Sequence, residues 1–576
     1  MEKPWLAHYP AEVPESYDYP QVPLSTFLVE SAEKHPERTA MWFYGRSTTY
    51  RQLLESANRF AGAVQGLGLN QGDRISIMLP NCPQCVIAYY GSLLAGLTVV
   101  PTNPMYTARE LHHQLVDSGA KIIVTLDIMA DRVKEGLKGS EVEYAVVTSI
   151  KDELPPMKSW LYPLQARRQG QHTHVDYDGH TMSWRHFMHH GRPKPTPISV
   201  DPLHDLALIQ YTGGTTGTAK GVMLTHYNLV ANAIQTRIWS YRLKEAREIY
   251  MAVLPFFHVF GMTAVMNQCV FLAGTLILVP KFQTREVLRL IHRFHPTAFP
   301  GTPTMYIALL RHDEVQTHDL SSIEVCISGA APLPEEVQQH FERLTGGRLI
   351  EGYGLTEASP VTHANNLWGE RRPGIGLPFP DTEAKIVDAL GKPVGVGEIG
   401  ELVVKGPQVM KGYWNRPNET ASVLRDGWLY TGDMATMDDD GFFRIVDRKK
   451  DVIIAGGFNI YPREVEEVLY DHPAVEEAVV VGVPDDYRGE TVKAFIALKP
   501  GKTATAEEIT EWCRKNLAAF KVPRQYEFRD SLPKSAVGKV LRYKLVEETK
   551  VARPSGQDKD HKALDETESI GPGGNP

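Results

Sequence analysis

Apolar residues in the first half of the chain follow two alternating patterns. Residues 52–67 and 83–97 read as helices, the first of them with clear helical periodicity, whereas residues 74–79 and 121–126 read as strands. Because helical and strand-like segments alternate along the chain, we predict an α/β fold built on open parallel or mixed sheets.

The pattern changes twice further along the chain. Residues 151–197 are poorly periodic and rich in Pro, His, Arg and Gln, so we expect a surface excursion there. After residues 444–450 a compact set of elements begins, with helices expected at 462–470 and 506–520 and strands at 478–483 and 492–498. We therefore predict an N-terminal domain, a small C-terminal domain and a tail without an apolar face that is disordered, at residues 1–447, 448–550 and 551–576.

Composition excludes several classes of protein. The 576 residues are 42% hydrophobic and 23% charged, as in an ordinary globular protein, and the net charge of −8 gives no general attraction to nucleic acid. The apolar stretches 86–100 and 251–280 contain Gly or Pro and, in the longer one, amide side chains, so we interpret them as buried elements and expect no membrane span. Five cysteines and a polar start without a signal peptide favour a cytoplasmic location.

One glycine- and threonine-rich loop carries the strongest chemical signal. Residues 211–221 read Tyr-Thr-Gly-Gly-Thr-Thr-Gly-Thr-Ala-Lys-Gly and follow a predicted strand, at the end of a sheet where α/β folds bind ligands. The glycines let backbone N–H groups turn toward phosphate, the threonines add hydroxyl donors, and Lys220 adds a cation. Gly221 stands where a Walker A loop has Ser or Thr, so the loop is of another kind. We predict that phosphate is bound by Thr212, Gly213, Gly214, Thr215, Thr216, Gly217 and Lys220.

Five further motifs follow the phosphate loop. They read Ser-Gly-Ala-Ala-Pro at 328–332, Glu-Gly-Tyr-Gly-Leu-Thr-Glu at 351–357, Tyr-Thr-Gly-Asp at 430–433, Asp-Arg-Lys-Lys-Asp at 447–451 and Pro-Lys-Ser-Ala-Val-Gly-Lys at 533–539. In this order they resemble the signatures of the adenylate-forming superfamily, which includes acyl- and aryl-CoA ligases, firefly-type luciferases and peptide-synthetase adenylation domains. The resemblance implies a large N-terminal part of several subdomains, with mixed sheets and a β-barrel-like subdomain, and a small mobile α+β C-terminal domain.

The resemblance also implies how ATP is bound. Tyr353 would offer a flat face to adenine, Asp433 would accept hydrogen bonds from the ribose hydroxyls, and Arg448 would reach the same sugar. The remaining residues implied at the adenine pocket and its neighbouring motif are Gly329, Ala330, Glu351 and Gly352.

Joining a carboxylate to the α-phosphate of ATP gives the acid a good leaving group, and this displacement needs positioning and charge neutralisation. Glu357 is the hard oxygen ligand expected of a Mg²⁺ site, which Thr212 would share. Thr356 would hydrogen-bond the α-phosphate, and Lys539 would bridge the attacking carboxylate and the α-phosphate oxygens. We therefore expect Lys539, Thr356 and Glu357 to be the catalytic residues.

Transfer of the acyl group to coenzyme A is a second reaction that needs a different arrangement. The resemblance implies that the C-terminal domain rotates about a hinge at Lys450, so that Lys539 withdraws. Gly456, Gly457 and Phe458 would then line a channel for the pantetheine thiol, and glycines leave room for a narrow chain.

The acid is predicted from the segment that opens the apolar stretch at 251–280. Its residues Leu-Pro-Phe-Phe-His-Val-Phe-Gly-Met at 254–262 resemble the acyl-pocket segment of fatty-acid ligases, and they offer no carboxylate to hold an amino acid's ammonium group. Residues 79–84 and 101–106 look like those of bacterial long-chain fatty-acid–CoA ligases. We expect a medium- to long-chain fatty acid in a pocket lined by Phe257, His258, Val259 and Met262.

Other interpretations remain open from the sequence alone. An aryl- or other acid–CoA ligase on the same scaffold is the first alternative, and a degenerate ATP-binding relative without activity is the second. Cys82 and Cys85 have the spacing of a redox pair, and His186, His189 and His190 that of a zinc site, but their surroundings favour a structural role. For the protein as a whole we expect small-molecule substrates, a peripheral contact with the inner face of a membrane, and a dimer.

Overall fold

The computed structural model describes residues 3–168, 175–212, 219–455, 458–485, 488–535 and 540–551, with backbone alone at 164–168, 550 and 551. The described chain forms two compact units, the first ending at Lys450 and the second beginning at Asp451. The boundary predicted from the sequence, between 447 and 448, lies three residues earlier. The predicted tail at 551–576 lies almost entirely outside the described residues.

The helices of the first unit are α1 (Thr26–Lys34), α2 (Tyr50–Gly66), α3 (Pro83–Leu94), α4 (Ala108–Ser118), α5 (Ala130–Gly136), α6 (Pro156–Arg168), α7 (Trp184–His190), α8 (His226–Trp239), α9 (Val259–Gly261), α10 (Gln268–Phe271), α11 (Thr284–Phe294), α12 (Pro303–Leu310), α13 (Glu335–Thr345) and α14 (Pro417–Val423).

The strands of the first unit are β1 (Thr39–Phe43), β2 (Arg46–Thr49), β3 (Arg74–Met78), β4 (Thr98–Pro101), β5 (Ala120–Leu126), β6 (Tyr144–Thr148), β7 (Thr181–Ser183), β8 (Leu206–Thr212), β9 (Lys220–Thr225), β10 (Ile249–Ala252), β11 (Thr275–Leu278), β12 (Val325–Ser328), β13 (Arg348–Gly354), β14 (Val361–Ala364), β15 (Leu377–Pro378), β16 (Glu383–Val387), β17 (Gly400–Lys405), β18 (Gly412–Tyr413), β19 (Leu424–Arg425), β20 (Trp428–Met437) and β21 (Phe443–Arg448).

These strands form mixed sheets, as the alternating pattern predicts. The largest has the order β18-β9-β8-β4-β3-β5-β6-β7, parallel from β8 to β7 and antiparallel from β8 to β18. Two four-stranded sheets have the orders β10-β11-β1-β2 and β12-β13-β14-β15. The fourth sheet has five strands, β16-β17-β20-β19 with β21 beside β20. It takes the place of the expected barrel-like subdomain, and its open strand order requires no closed barrel.

The second unit is α+β, as predicted. Its strands are β22 (Ile453–Ala455), β23 (Phe458–Ile460), β24 (Val475–Asp485), β25 (Gly489–Leu498) and β26 (Gln525–Arg529), in one sheet, and its helices are α15 (Pro462–Tyr470), α16 (Ala506–Asn516) and α17 (Arg542–Val551). A separate apolar core fills this unit, with Ile460, Val480 and Ile496 fully buried in it. The unit therefore has the packed interior that an independent domain requires.

The described residues of the segment at 151–197 include regular structure that their polar composition did not predict. It contains α6, β7 and α7, and β7 pairs in parallel with β6 at the edge of the largest sheet. The rings of Trp184 and Phe187 lie 5.7 and 5.2 Å from the ring of Phe60 on α2, and both side chains are buried. A few apolar residues thus attach α7 to the core, although the segment as a whole lacks a periodic pattern.

The long apolar stretch at 251–280 lies inside the first unit. It runs from the end of β10 through α9, a six-residue π-helix at Met262–Asn267 and α10 into β11, and β11 lies between β10 and β1. In the part of the chain that the structure describes, no helix is both long and apolar enough to cross a bilayer. The interpretation of this stretch as buried elements is confirmed, since it forms helices followed by the strand β11.

Asn81 fixes the start of this buried stretch. Its side-chain nitrogen donates to the carbonyl oxygens of Ala252 and Leu254 at 2.9 and 2.8 Å, and its side-chain oxygen accepts from the backbone N–H of Phe256 at 2.9 Å. The Asn81 side chain is buried, so water could not hydrogen-bond to these three backbone groups in its place. The turn after β10 therefore depends on an amide that lies on the distant segment between β3 and α3.

Asn81→Ala should destabilise the first unit by about 3 kcal/mol, because it leaves buried backbone groups without partners. We expect a melting temperature several degrees below that of the wild type. Asn418→Ala, at an exposed position of α14, is the matched control and should melt like the wild type. Equal melting temperatures for Asn81→Ala and the control would contradict this account of the turn.

Candidate active site

The two described ends of the predicted phosphate loop lie side by side. Thr212 ends β8, Lys220 begins β9, and the antiparallel pairing of these strands sets Thr212 directly opposite Lys220. The predicted ligands Gly213, Gly214, Thr215, Thr216 and Gly217 lie outside the described residues. The loop therefore starts and finishes at one end of the largest sheet, at the carboxyl end of β8, where α/β sheets bind ligands.

Lys220 and Glu357 belong to different motifs and contact the same tyrosine. The Nζ atom of Lys220 lies 5.1 Å from the ring centroid of Tyr413, at the end of β18. The Tyr413 hydroxyl donates to Oε1 of Glu357 at 2.8 Å. Burial, and after it the charge of Glu357, raises the pKa of Tyr413, so the phenol keeps the proton that it donates. Tyr413 is not among the residues predicted from the sequence, since its contact with Glu357 spans 56 residues of chain.

The donor set around Glu357 suits Mg²⁺. Glu357 and Thr356 lie in a short 3-10 turn, and Met410 N–H donates to the carbonyl oxygen of Glu357 at 2.8 Å. No cluster of three or more His, Cys, Asp or Glu side chains that could enclose a metal occurs among the described residues. Mg²⁺ is typically held by one or two carboxylates, waters and substrate phosphates, so one carboxylate beside a phosphate loop fits it.

A second tyrosine joins the adenine and ribose motifs. The Tyr353 hydroxyl donates to Oδ2 of Asp433 at 2.6 Å, and Nε of Arg448 lies 3.5 Å from Oδ1 of the same carboxylate. Asp433 and Arg448 face each other across β20 and β21. Burial raises the pKa of Tyr353, and Asp433 raises it further, so this phenol also stays protonated. The structure thus brings together three residues that the sequence placed in three different motifs.

The predicted adenine loop packs against the predicted acyl segment. Gly329 is buried, and a Cβ atom at this position would lie 2.8 Å from the ring of Phe260. Ala330 is exposed with φ of 71°, the left-handed conformation that turns the loop after β12. On β13, a Cβ atom at Gly352 would lie 2.7 Å from Ile327, and Oε2 of Glu351 accepts from Leu333 N–H at 3.5 Å. These two glycines therefore allow close packing around the loop.

The predicted acyl-pocket residues lie at two depths. Val259 and Met262 are fully buried, Met262 at the first turn of the π-helix, whereas Phe257 and His258 are half-buried. Gln210 on β8 donates to the carbonyl oxygen of Phe257 at 3.0 Å. Because Gln210 precedes Thr212 by two residues, the acyl segment is tied directly to the strand that leads into the phosphate loop. A buried amide inside an apolar strand is a sequence signal that could have identified Gln210.

The residues predicted for acyl transfer fall on both units. Lys450 is exposed and is the last residue of the first unit. In the second unit Phe458 is 55% exposed and stacks on Phe520 with ring centroids 4.7 Å apart. Gly456, Gly457 and Lys539 lie outside the described residues, so the structure tests none of their predicted roles.

Two other sequence patterns, the cysteine pair and the histidine cluster, have surroundings that fit a structural role. Cys82 and Cys85 are buried at the start of α3, and burial raises the pKa of the Cys85 thiol to about 12, which makes it a poor nucleophile. His186 and His190 on α7 contact each other, with ring centroids 4.2 Å apart, on an exposed face.

Comparisons with known proteins show the family of the chain. The family model described as AMP-binding enzyme matches residues 28–414, and the one described as AMP-binding enzyme C-terminal domain matches residues 464–539. The chain belongs to the AMP-binding enzyme family. A curated Long-chain-fatty-acid–CoA ligase of Bacillus subtilis (strain 168) is 53% identical over 553 residues, which are 95% of this chain and 98% of that protein.

Solved structures of other AMP-binding enzymes share the fold. ATP-bound MatB from Rhodopseudomonas palustris aligns with a TM-score of 0.80 at 30% identity, over 92% of this chain and 99% of that one. The anthranilate CoA ligase AuaEII in complex with anthranoyl-AMP aligns with a TM-score of 0.81 at 27% identity, over 94% and 99% of the two chains. The mixed sheets and the separate C-terminal unit are therefore those of an AMP-binding enzyme.

Tyr353→Phe should raise the KM for ATP about tenfold, because it keeps the ring face and removes one hydrogen bond to a carboxylate. The measurement is the ATP dependence of adenylate formation. Tyr306→Phe is the matched control, since the Tyr306 hydroxyl is buried in the same unit and donates to the carbonyl oxygen of Phe299 at 2.8 Å. An unchanged KM for ATP in Tyr353→Phe would show that the bond to Asp433 does not order the ribose acceptor.

Proposed function

We propose that the protein uses ATP to convert a medium- to long-chain fatty acid into acyl-AMP and then transfers the acyl group to coenzyme A. The products are acyl-CoA, AMP and pyrophosphate. The observation that carries this proposal is the hydrogen bond from Gln210 to Phe257, which fixes an apolar segment to the strand entering the phosphate loop. An apolar acid held by that segment would have its carboxylate close to bound ATP.

In the first half-reaction the acid's carboxylate oxygen attacks the α-phosphorus, and the bond to the bridging oxygen of pyrophosphate breaks. Lys539 would neutralise charge on the carboxylate and the α-phosphate, and Thr356 would donate to the α-phosphate. Lys220, together with the backbone N–H groups of the phosphate loop, would hold the leaving pyrophosphate oxygens. Bound Mg²⁺, with Glu357 and Thr212 as its protein ligands, would supply charge neutralisation on the phosphates.

In the second half-reaction the thiolate sulfur of coenzyme A attacks the acyl carbon, and AMP leaves with its phosphate oxygen. Asp433 and Arg448 would keep the nucleotide in place through this step by binding its ribose. Rotation about Lys450 would remove Lys539 and bring Gly456, Gly457 and the exposed Phe458 to the thiol's path. A lid that changes position between steps allows one nucleotide site to serve two reactions.

A fatty acid fits the pocket segment better than other acids. The described side chains at Phe257, Val259 and Met262 are apolar, and they continue into residues 263–270, all of which are buried. The similarity to a long-chain fatty-acid–CoA ligase of Bacillus subtilis supports the same choice. An aryl acid is the alternative, favoured by the similarity to an anthranilate CoA ligase at a lower identity of 27%. A degenerate ATP-binding relative is the non-enzyme alternative, and the presence of Lys539 and Glu357 argues against it.

We place the protein in the cytoplasm, with peripheral contact at the inner face of the membrane through α6. Met157, Trp160 and Leu161 share one face of this helix and are 78%, 79% and 46% exposed. Such a face suits the apolar boundary of a bilayer. Co-sedimentation with anionic lipid vesicles tests the contact, and a protein that stays in the supernatant would contradict it. The expected dimer stays a prediction.

Acid-dependent exchange of labelled pyrophosphate into ATP tests the proposed function. Each added methylene of a fatty acid should contribute up to about 0.8 kcal/mol, roughly a fourfold gain in specificity, until the pocket ends. Aryl acids and amino acids should support little exchange. A profile that does not vary with chain length and peaks at an aryl acid would replace the fatty-acid assignment, and no exchange with any acid would reject adenylation.

Lys539→Ala should nearly abolish adenylation while acyl transfer from supplied acyl-AMP persists, because the lysine serves the first transition state alone. Lys450→Pro is the reciprocal variant: proline fixes φ at the hinge, so acyl-AMP should accumulate in a single turnover while CoA ester formation slows. Equal loss of both half-reactions in Lys539→Ala would contradict its assignment. A full rate of thioester formation in Lys450→Pro would move the hinge elsewhere.

Met262→Trp should narrow the acyl pocket and lower kcat/KM for long-chain acids more than for short-chain acids, because Met262 is buried at the start of the π-helix. The measurement is kcat/KM across a chain-length series together with the melting temperature. Met251→Trp is the control, since Met251 is equally buried but lies on β10. If both variants lose stability without a change of chain-length preference, Met262 is a core residue and not a pocket residue.

A further inference from the structure

The structure assigns a positioning role to residues 413–416, which we call the anchor segment, and to Asp117. We propose that they set the Mg²⁺-dependent affinity for ATP by holding the metal carboxylate and both ends of the phosphate loop. The inference rests on the proposed function, because it takes Glu357 as the metal ligand and residues 212–220 as the phosphate loop. Neither Asp117 nor the anchor segment belongs to the motifs that the sequence analysis assigned to ATP.

Tyr413 is the part of the anchor segment that faces the metal carboxylate. It donates to Oε1 of Glu357 at 2.8 Å, and it is 8% exposed, so water does not compete strongly for this bond. Its ring lies under the ammonium group of Lys220, the proposed phosphate-binding cation at the exit of the loop. One side chain thus orients both the proposed metal ligand and the lysine proposed to bind phosphate. Groups that hydrogen-bond a metal ligand fix its orientation and so change the metal affinity.

Asp117 is the part of the network that holds the entrance of the loop. Its Oδ2 accepts from the hydroxyl of Tyr211 at 2.6 Å, and its Oδ1 accepts from Nη2 of Arg416 at 2.7 Å. The indole Nε1 of Trp414 donates to the backbone oxygen of Asp117 at 3.0 Å. The carboxylate side chain is 12% exposed and the Arg416 side chain 35% exposed. Both oxygens of this largely buried carboxylate therefore accept a hydrogen bond, one from Tyr211 at the entrance of the loop and the other from Arg416 in the anchor segment.

Backbone hydrogen bonds attach the anchor segment to the other end of the loop. Trp414 N–H donates to the carbonyl oxygen of Gly221 at 2.7 Å, and Tyr413 pairs with Val222 on β9. Just before the segment, Met410 N–H donates to the carbonyl oxygen of Glu357. The anchor segment consequently contacts the exit of the loop directly and its entrance through Asp117 and Tyr211.

These contacts predict different effects for changes at the side chains of Tyr413 and Asp117. Loss of the Tyr413 hydroxyl should disturb Glu357 and so weaken ATP binding only when Mg²⁺ is present. Weakening the hydrogen bonds of the Asp117 carboxylate should loosen Tyr211, which precedes Thr212. ATP binding should then weaken with or without the metal. Neither change touches the apolar segment, so the KM for the fatty acid should stay near the wild-type value.

Calorimetry of the full-length protein with ATP, in Mg²⁺ or in EDTA, tests the proposal. Tyr413→Phe should raise the Kd for Mg²⁺-ATP about tenfold, the usual effect of removing a group that holds a metal ligand, and leave the Kd in EDTA unchanged. Asp117→Asn and Tyr211→Phe should each raise both constants several-fold. Tyr211→Phe removes the hydroxyl alone, so it supplies the test if Asp117→Asn fails to fold.

Two variants elsewhere in the first unit are matched controls. Tyr19→Phe removes a buried hydroxyl that donates to Pro380 O at 3.1 Å, and Glu342→Gln weakens the ion pair with Arg371, whose closest atoms are 2.6 Å apart. Both should bind ATP like the wild type. Wild-type ATP affinity in Tyr413→Phe and Tyr211→Phe, or equal losses in the controls, would overturn the proposal. A wild type that binds Mg²⁺-ATP but exchanges no pyrophosphate with any acid would instead reject the proposed function.

Discussion

In the described part of the first unit, three tyrosine hydroxyls each donate to a carboxylate, and the rest of the candidate site depends on these bonds. Tyr211 holds Asp117, Tyr353 holds Asp433, and Tyr413 holds Glu357, at 2.6, 2.6 and 2.8 Å. Protein carboxylates beside a polyphosphate would be repelled by it, unless cations and fixed donors compensate their charge. Burial raises the pKa of all three phenols, so each stays a donor throughout the neutral range.

These bonds also explain why distant parts of the chain form one site. Each tyrosine and its carboxylate are separated by 56 to 94 residues, so the pairs connect β8 to α4, β13 to β20, and β18 to the turn that carries Glu357. Gln210 connects β8 to the acyl segment through its hydrogen bond to the carbonyl oxygen of Phe257. Preorganised polar groups of this kind lower the cost of placing two reacting anions together, because they do not have to reorient when the reaction occurs.

Much of the fold was predictable from the sequence, because helices and strands such as α2, β3 and β5 carry their own apolar pattern. The π-helix at Met262–Asn267 was not, since a wholly buried stretch has no polar face to reveal its period. The motifs identified Lys220, Glu357, Tyr353 and Asp433 because their residue types and order resemble a known family. Tyr413 and Asp117 escaped prediction because a single tyrosine or aspartate gains its role only from partners that are distant in the chain. Gln210 was also missed, although an amide inside an apolar strand marks it in the sequence.

The most direct test of the account is a crystal structure of the protein with a sulfamoyl analogue of a long-chain acyl adenylate. The account predicts the adenine ring against Tyr353, the ribose hydroxyls on Asp433, the sulfamoyl group near Thr356, and the acyl chain along Phe257 and Met262. The hydroxyls of Tyr211, Tyr353 and Tyr413 should still contact their carboxylates. An acyl chain that leaves the site without contacting residues 256–274, or ribose hydroxyls bound away from Asp433, would contradict it.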